Sequence, residues 1–294
     1  MEKYITSDLI MEGSVIDRMR ERLGKEKKRY SEDTYGDFSV CRLTVEEKEY
    51  GYKKGRYITV YTPKLYFLDN GEQRKLSAII SRELSALIKE SLAAELTSNV
   101  SVLVAGIGNR GITPDAIGPF TSEKVAVTRH VKKLDPHVFE RMGSCCVSSI
   151  ACGVMGETGM DTFEILKGIV AKTSPDAVIA IDALAAKEFK TLGAAIQISD
   201  TGIVPGAGVG NRQLEINSDT LGVPVIAIGV PTVVSATTLI SDTLIQNGIC
   251  LNEAIGDILS RGKNFFVAPK ECDLLCQSAA TVLSDAINSA LTVI

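Results

Sequence analysis

LVAGIGNRGITPDAIG, residues Leu103–Gly118, begins inside an apolar run, Val102 to Ala105, that has the length and β-branched content of a buried strand. Three glycines then interrupt the run and allow the backbone to turn sharply. In the following TPD triplet, Thr113 or Asp115 can cap a helix, and Pro114 is tolerated only in its first turn. The stretch therefore predicts a strand that ends in a glycine loop and delivers the carboxylate of Asp115 to the start of a helix.

A second strand has a similar ending. The apolar segment Ala177 to Ile181, AVIAI, ends on Asp182. Ligands and catalytic groups collect at the carboxyl edge of a parallel α/β sheet, so we expect Asp115 and Asp182 at one edge. Two neighbouring carboxylates can share a proton, one acting as a base on water while the other acts as an acid. Asp115 and Asp182 are therefore the predicted catalytic residues.

The order of predicted elements indicates the fold class. Strands alternate with helices over residues 75–294, with helical periodicity in Lys75–Leu96, Thr162–Lys172 and Lys270–Leu291. This alternation predicts an α/β core with a mostly parallel, twisted sheet and helices on both faces. Within it, we expect Val125–His130 to form a short strand and Ala183–Phe189 to form a helix or turn.

The first 74 residues are mixed and charged. Phe38–Tyr50 alternates as an edge strand does, and Tyr57–Tyr61 has strong β propensity. The two segments predict a β-hairpin in an N-terminal extension, residues 1–74, packed on the core of residues 75–294. One continuous domain is the alternative interpretation.

Composition excludes several classes of function. The net charge of −4 gives no general attraction to nucleic acid or to an anionic membrane. No apolar run reaches the roughly 18 residues that suggest a membrane span, and the N-terminus has no signal-peptide core. Seven cysteines without a CxxC pair, with only two histidines, predict reduced thiols and no metal site. We therefore expect a cytoplasmic protein without a direct nucleic-acid or membrane partner.

Other catalytic and binding motifs are weak or missing. Neither His130 nor His137 accompanies a GxSxG elbow, and the sequence has no Walker loop. Gly106–Gly111, GIGNRG, matches the dinucleotide pattern GxGxxG in the correct strand–turn–helix context. However, Pro114 and Asp115 stand where small residues normally lead the helix toward a pyrophosphate. A nucleotide- or anion-binding protein remains an alternative interpretation.

Four stretches resemble the germination protease (spore protease) family of spore-forming bacteria. They cover much of the chain from residue 106 to residue 234. They are GIGNRGITPDAIGP with VTRH (106–119 and 127–130), GVMGETGMD (153–161), SPDAVIAIDALAA (174–186), and QISDTGIVPGAGVGNRQLEINSDTLGVPVIAIGVPTVV (197–234).

The resemblance implies an activity and a setting. It implies an endopeptidase that degrades small acid-soluble spore proteins during germination and cleaves after acidic residues. It also implies a fold related to hydrogenase-maturation peptidases, a homotetramer, no required metal or cofactor, and a location in the cytoplasm of the forespore or spore core. The proposed catalytic aspartates of the family fall on Asp115 and Asp182. Family members are zymogens, and Thr6, Ser7 and Asp8 fall in the region of self-cleavage.

An acidic substrate side chain needs a cation, and the candidates are Arg129, Arg212 and Lys187. Backbone N–H groups of the glycine loops Gly153–Gly159 or Gly202–Gly210 are candidates to stabilise the oxyanion. A metal-dependent maturation-type peptidase of the same fold, with His130 or His137 as ligands, is the other alternative that stays open.

Overall fold

One nine-stranded sheet organises the computed structural model, which describes residues 29–48, 52–186, 188–206, 214–249, 255, 258–259 and 265–293. The strand order is β1-β2-β3-β7-β8-β6-β4-β5, with β9 paired to the end of β8. The strands are β1 (Tyr30–Tyr35), β2 (Phe38–Val45), β3 (Gly55–Tyr61), β4 (Ser101–Ile107), β5 (Cys146–Gly153), β6 (Ala177–Ala186), β7 (Ala195–Ser199), β8 (Val225–Ser235) and β9 (Phe266–Val267).

The helices of the described residues connect and cover these strands. Two of the longer helices begin at capping boxes: Asp69 caps the first long helix, and Asp161 caps the helix that precedes β6. The helices are α1 (Asn70–Leu92), α2 (Ile117–Lys124), α3 (Arg129–Leu134), α4 (Pro136–Met142), α5 (Met155–Thr158), α6 (Thr162–Thr173), α7 (Ser218–Leu221), α8 (Ala236–Gln246) and α9 (Cys272–Ala290).

The predicted α/β class is confirmed, and the sheet has two halves of different character. Strands β8, β6, β4 and β5 are parallel to their neighbours within this group and form the parallel half. Strands β1, β2, β3 and β7 pair antiparallel and form the antiparallel half, which joins β8. The predicted hairpin is the β2–β3 pair, and its strands belong to the same sheet as the core.

Helices cover both faces of the parallel half. Residues of β6 show this directly, since Ile179 and Ile181 enter the core cluster with α1 and α9, while Val178 and Ala180 enter the cluster with α6. All four side chains are fully buried. A strand that is buried on both faces has a continuous apolar sequence, which explains the AVIAI run.

Two local predictions were wrong. Strand β6 continues past Asp182 to Ala186, because β8 pairs with it along this whole length, so Ala183–Ala186 is not helical. Val125–His130 is not a strand: Thr128 receives and donates hydrogen bonds across the start of β5, and helix α3 begins at Arg129. Among the described helices, none has the length and apolarity needed to cross a membrane.

Candidate active site

Asp115 lies in a short 3₁₀ turn, Thr113–Asp115, between β4 and α2. Its carboxylate Oδ2 accepts a hydrogen bond of 2.7 Å from the backbone N–H of Asn109. The Asn109 side chain in turn accepts from the N–H of Gly111, at 2.7 Å. The glycine loop is therefore folded around the Asp115 side chain, which does not act as the predicted helix cap.

Glycines allow this turn to lie directly on the strand ends. A Cβ on Gly118 would be 2.2 Å from the carbonyl oxygen of Ile107 and 2.5 Å from that of Ile181. Gly108 has φ +115°, and a Cβ there would be 2.1 Å from the carbonyl oxygen of Asp115. The turn also packs against β6, β8 and α9. Only residues without side chains permit these backbone-to-backbone contacts.

Asp182 lies on β6 and lines a cavity of about 210 Å³. It is 5% exposed, and its Oδ1 accepts from the N–H of Ala183 at 2.9 Å. Its register partner on β8 is Gly229, where a Cβ would lie 2.3 Å from the Leu184 side chain, so the glycine makes room for Leu184 in the cavity wall. The other lining residues come from β3, β6, β7, β8 and the loop after β7: Tyr57, Leu184, Gln197, Ser199, Thr201, Gly202, Ile203, Val204, Gly206 and Ala227.

The two aspartates reach the same edge of the sheet. Strands β4 and β6 are parallel neighbours, and their last pair is Gly106 with Ile181. Asp182 is therefore one position beyond the last β6 residue that pairs with β4. The helix that follows Asp115 touches the Ile181 backbone through Gly118. Adjacent strands thus carry Asp182 and the turn of Asp115 to one rim, although Asp115 itself is not among the residues lining the Asp182 cavity.

Burial raises the pKa of the Asp115 carboxyl above its usual value. The hydrogen bond from Asn109 opposes this effect and lowers the pKa, whereas the negative charge of Glu157 on α5 raises it. The net result is a higher pKa, so Asp115 holds a proton more readily than an exposed aspartate does.

Of the three cations predicted to bind the acidic substrate side chain, only Arg129 lies in the part of the chain that the structure describes, and it is not at this rim. Arg129 starts α3, next to Thr128, whose N–H donates to the carbonyl of Val147 near the amino end of β5. It therefore lies at the opposite edge of the sheet from both aspartates. Lys187 and Arg212 lie outside the described residues, as do Thr6, Ser7 and Asp8.

Both histidines also lie away from the aspartates. His130 is in α3 and His137 in α4, the two helices that precede the amino end of β5. Within the described ranges, no three His, Cys, Asp or Glu side chains are grouped so that they could hold a metal ion.

The glycine loop uses its own N–H groups. Asn109 donates to Asp115, Gly111 donates to the Asn109 side chain, and Ile112 donates to the Asn109 carbonyl. A phosphate-binding loop instead directs such N–H groups at its ligand. The GxGxxG match therefore serves to hold a carboxylate, and this geometry does not favour a dinucleotide.

Three side chains near the site were missed by the sequence reasoning. Arg110, inside the glycine loop, forms an ion pair with Glu123 and lies over the Phe120 ring. Tyr57 lines the Asp182 cavity, and Cys276 donates to the carbonyl of Thr113. Arg110 lies inside the GIGNRG segment that the sequence had already singled out, but Tyr57 and Cys276 come from distant segments with no local motif.

Comparison with known proteins shows which family the sequence matches. Residues 11–247 match a family model described as germination protease. Curated germination proteases are 42% identical over 250 residues in Bacillus cereus (83% of this chain, 67% of that protein) and 38% identical over 265 residues in Clostridium acetobutylicum (81% and 79%). The Bacillus mycoides protein is 35% identical over 351 aligned positions (99% and 95%).

Among solved structures, the chain is similar to the [NiFe] hydrogenase maturation protease HycI from Thermococcus kodakarensis. The TM-score is 0.37 at 18% identity, over 69% of this chain and 97% of that one.

The fold and the family match together define a peptidase of the α/β class, whose substrates are proteins. The chain belongs to the germination protease family.

Proposed function

We propose that the protein is an aspartic-type endopeptidase that degrades small acid-soluble spore proteins in the spore core during germination. The observation that carries the proposal is the delivery of Asp115 and Asp182 to one rim by the adjacent strands β4 and β6. The family membership supports proteolysis during germination, and the two carboxylates supply a chemical means for it.

In the proposed mechanism, the two aspartates activate a water molecule that attacks the scissile carbonyl. One carboxyl is ionised and takes a proton from the water, while the other is protonated and donates to the carbonyl oxygen or the leaving nitrogen. The raised pKa of Asp115 supports its role as the protonated member, and Asp182 is then the base. The two roles alternate as the amine product leaves.

The loop after β7 is the better candidate to stabilise the oxyanion. Gly202 and Gly206 line the same cavity as Asp182. In the other candidate loop, Gly153–Gly159, four N–H groups have acceptors within the loop, those of Val154, Glu157, Thr158 and Gly159, whereas in Gly202–Gly206 the N–H of Ile203 donates to the carbonyl of Ile216. Donors that are already used cannot bind a developing oxyanion, so we place this function in Gly202–Gly206.

For the acidic substrate side chain, we propose Arg110 as a described cation at the catalytic rim. It lies in the loop that folds around Asp115, its side chain is 62% exposed, and a substrate carboxylate would replace Glu123 as its ion-pair partner. Arg212 and Lys187, predicted from the sequence, remain candidates beside it. The homotetramer and the self-cleavage near Thr6, Ser7 and Asp8 also remain proposals that follow from family resemblance.

The first test is cleavage of a purified small acid-soluble spore protein, with product masses determined by mass spectrometry. We expect cleavage after acidic residues by the wild type and loss of at least about 10³-fold in rate in Asp115→Asn and in Asp182→Asn, as is usual when a catalytic group is removed. Activity that survives in either folded variant would remove that aspartate from the mechanism.

Asp176→Asn is the matched control. Asp176 also accepts a backbone N–H bond, from Ser101 at 2.7 Å, but it lies at the amino edge of the same two strands. This variant should cleave at the wild-type rate. The assay is repeated with a chelator present, because the metal-dependent alternative requires that the chelator inhibit cleavage. Thermal stabilisation by NAD or ATP, without cleavage, would favour the nucleotide-binding alternative.

A further inference from the structure

The C-terminal helix reaches the turn that carries Asp115 through a cysteine. The thiol of Cys276, in the second turn of α9, donates to the carbonyl oxygen of Thr113 at an S···O distance of 3.1 Å. Cys276 is fully buried, and Thr113 is two residues before Asp115. The contact joins segments that are 163 residues apart in the chain.

The Thr113 carbonyl oxygen accepts two hydrogen bonds that hold the turn. The Thr113 oxygen also accepts the N–H of Ala116 at 3.2 Å, and that bond closes the 3₁₀ turn around Asp115. The side chains of Thr113 and Ile112 are exposed, so the outer side of the turn faces solvent. The inner side rests on α9, β6 and β8. A donor from α9 at this oxygen therefore fixes the height and tilt of the turn above the strands.

We propose that Cys276 is a positioning residue for catalysis: its thiol hydrogen bond holds the Thr113–Asp115 turn in place at the rim that also carries Asp182. The inference rests on the proposed function, because it assumes that Asp115 is catalytic. Cys276 itself does not contact substrate and acts only through the Thr113 carbonyl.

A buried thiol suits this role. Burial raises the pKa of Cys276, so it keeps its proton and remains a donor throughout the neutral range. The S–H group is also small and apolar enough to pack with Leu275 and Ala279 in the core that α9 shares with the sheet. An apolar residue of equal size would fill the space but leave the carbonyl without this donor.

The test compares Cys276→Ala, which removes the donor, with Cys276→Ser, which keeps it. Using the spore-protein substrate, we expect Cys276→Ala to lower kcat roughly tenfold with KM within about twofold, since the misplaced group acts in the chemical step. Cys276→Ser should recover kcat to within about threefold of wild type, because its hydroxyl donates to the same carbonyl. Cys145→Ala is the control for volume loss, since Cys145 is fully buried in the same core cluster but lies near the amino end of β5.

Hydrogen exchange supplies a readout that does not depend on activity. The amide of Asn109, which donates to Asp115, and the amide of Ala116, which closes the turn, should exchange faster in Cys276→Ala than in wild type, Cys276→Ser or Cys145→Ala. Equal kcat in wild type and Cys276→Ala, or an equal loss in the Ala and Ser variants, would overturn the proposal. If Asp115→Asn is fully active while exchange still responds to Cys276→Ala, the proposed function fails and the structural link between α9 and the turn stands.

Discussion

The parallel and antiparallel halves of the sheet fix their important groups by different means. In the parallel half, Gly118 brings the backbone of α2 onto the backbones of β4 and β6, and this contact sets the place of Asp115. In the antiparallel half, charged side chains make the long-range links. Arg42 on β2 binds Glu83 on α1 through two hydrogen bonds of 2.6 Å, and Arg56 on β3 binds Asp200 in the loop after β7.

The two halves should therefore differ in how well they tolerate single amino-acid substitutions. Backbone contacts through glycine leave no room for one added methyl group, because neither strand can move without its neighbours. Ion pairs at partly exposed sites are weaker and depend on pH and salt. We therefore expect single substitutions to have large effects in the parallel half and graded effects in the antiparallel half, and the following predictions test that order.

Gly118→Ala should give the largest effect. The new Cβ would collide with backbone atoms of both Ile107 and Ile181, which cannot rotate away. We expect the free energy of unfolding to fall by about 3 kcal/mol or more, at the upper end for an overpacked site. Urea unfolding at neutral pH measures it, and peptidase activity should fall with it because the Asp115 turn must move.

Gly168→Ala is the matched control for this prediction. Gly168 lies in α6, and a Cβ there would meet no atom within 4 Å. Alanine in a helix interior is more favourable than glycine by about 1 kcal/mol, so this variant should be more stable than wild type. A Gly118→Ala protein as stable as wild type would show that the turn is not held by backbone contact.

The same contrast explains which features the sequence predicted. Local patterns were sufficient for α6 and α9, which have clear helical periodicity, and for the loop that carries Asp115, where glycines and a proline leave few conformations. They also led to the expectation of Asp115 and Asp182 at one edge, because Asp115 follows the end of β4 and Asp182 follows an apolar run, although β6 continues past Asp182. The exact end of β6 could not be predicted, since it depends on pairing with β8.

Long-range side-chain contacts could not be predicted in this way. The Cys276–Thr113 bond spans 163 residues and the Arg42–Glu83 pair spans 41, and no local pattern couples such positions. Arg129 illustrates the converse. It belongs to a motif that resembles the family, but the fold of Thr128 onto β5 places it at the edge away from the aspartates.

Glu83→Gln should give an intermediate effect. Glu83 is 6% exposed and holds Arg42, so the variant leaves this partly buried cation with Asp33 as its ion-pair partner, whose side chain is 52% exposed. We expect a loss of about 2 kcal/mol in the free energy of unfolding, below the range for a fully buried pair because Arg42 is 28% exposed. Glu95→Gln is the control, because the Lys89–Glu95 pair is exposed and should contribute less than about 0.5 kcal/mol.

The pH dependence sharpens this prediction. Burial raises the pKa of Glu83, but the hydrogen bonds and charges of Arg42 and Arg82 outweigh it, and the pKa lies below the usual value. A carboxyl with a lowered pKa in the folded state stabilises the protein above its unfolded-state pKa, and this stabilisation is lost as the pH falls through the folded-state value. The stability difference between wild type and Glu83→Gln should therefore be full near pH 7 and shrink in acid. A constant difference would contradict the ionic interpretation.

Asp200→Asn should give the smallest effect on stability, with a consequence for the cavity. Asp200 accepts the backbone N–H of Arg56 at 2.7 Å and its Nε at 2.8 Å, and the next residues, Thr201 and Gly202, line the Asp182 cavity. Asparagine keeps one acceptor but loses the charge, so we expect a loss of about 1 kcal/mol in the free energy of unfolding. Because the loop wall loosens, KM for the protein substrate should rise roughly threefold, and kcat should fall as well because the same loop carries the proposed oxyanion donors.

Glu90→Gln tests whether KM depends on the position of the loop after β7 or on the charge of Arg56. Glu90 pairs with the same guanidinium but is 59% exposed and lies on α1, away from the cavity. It should change neither KM nor stability by a measurable amount, since exposed pairs contribute little. If Glu90→Gln raised KM as much as Asp200→Asn, the charge of Arg56 rather than the position of the loop would control substrate binding. The antiparallel half would then influence the site through the charge of Arg56, and not through the position of the loop that its ion pairs hold.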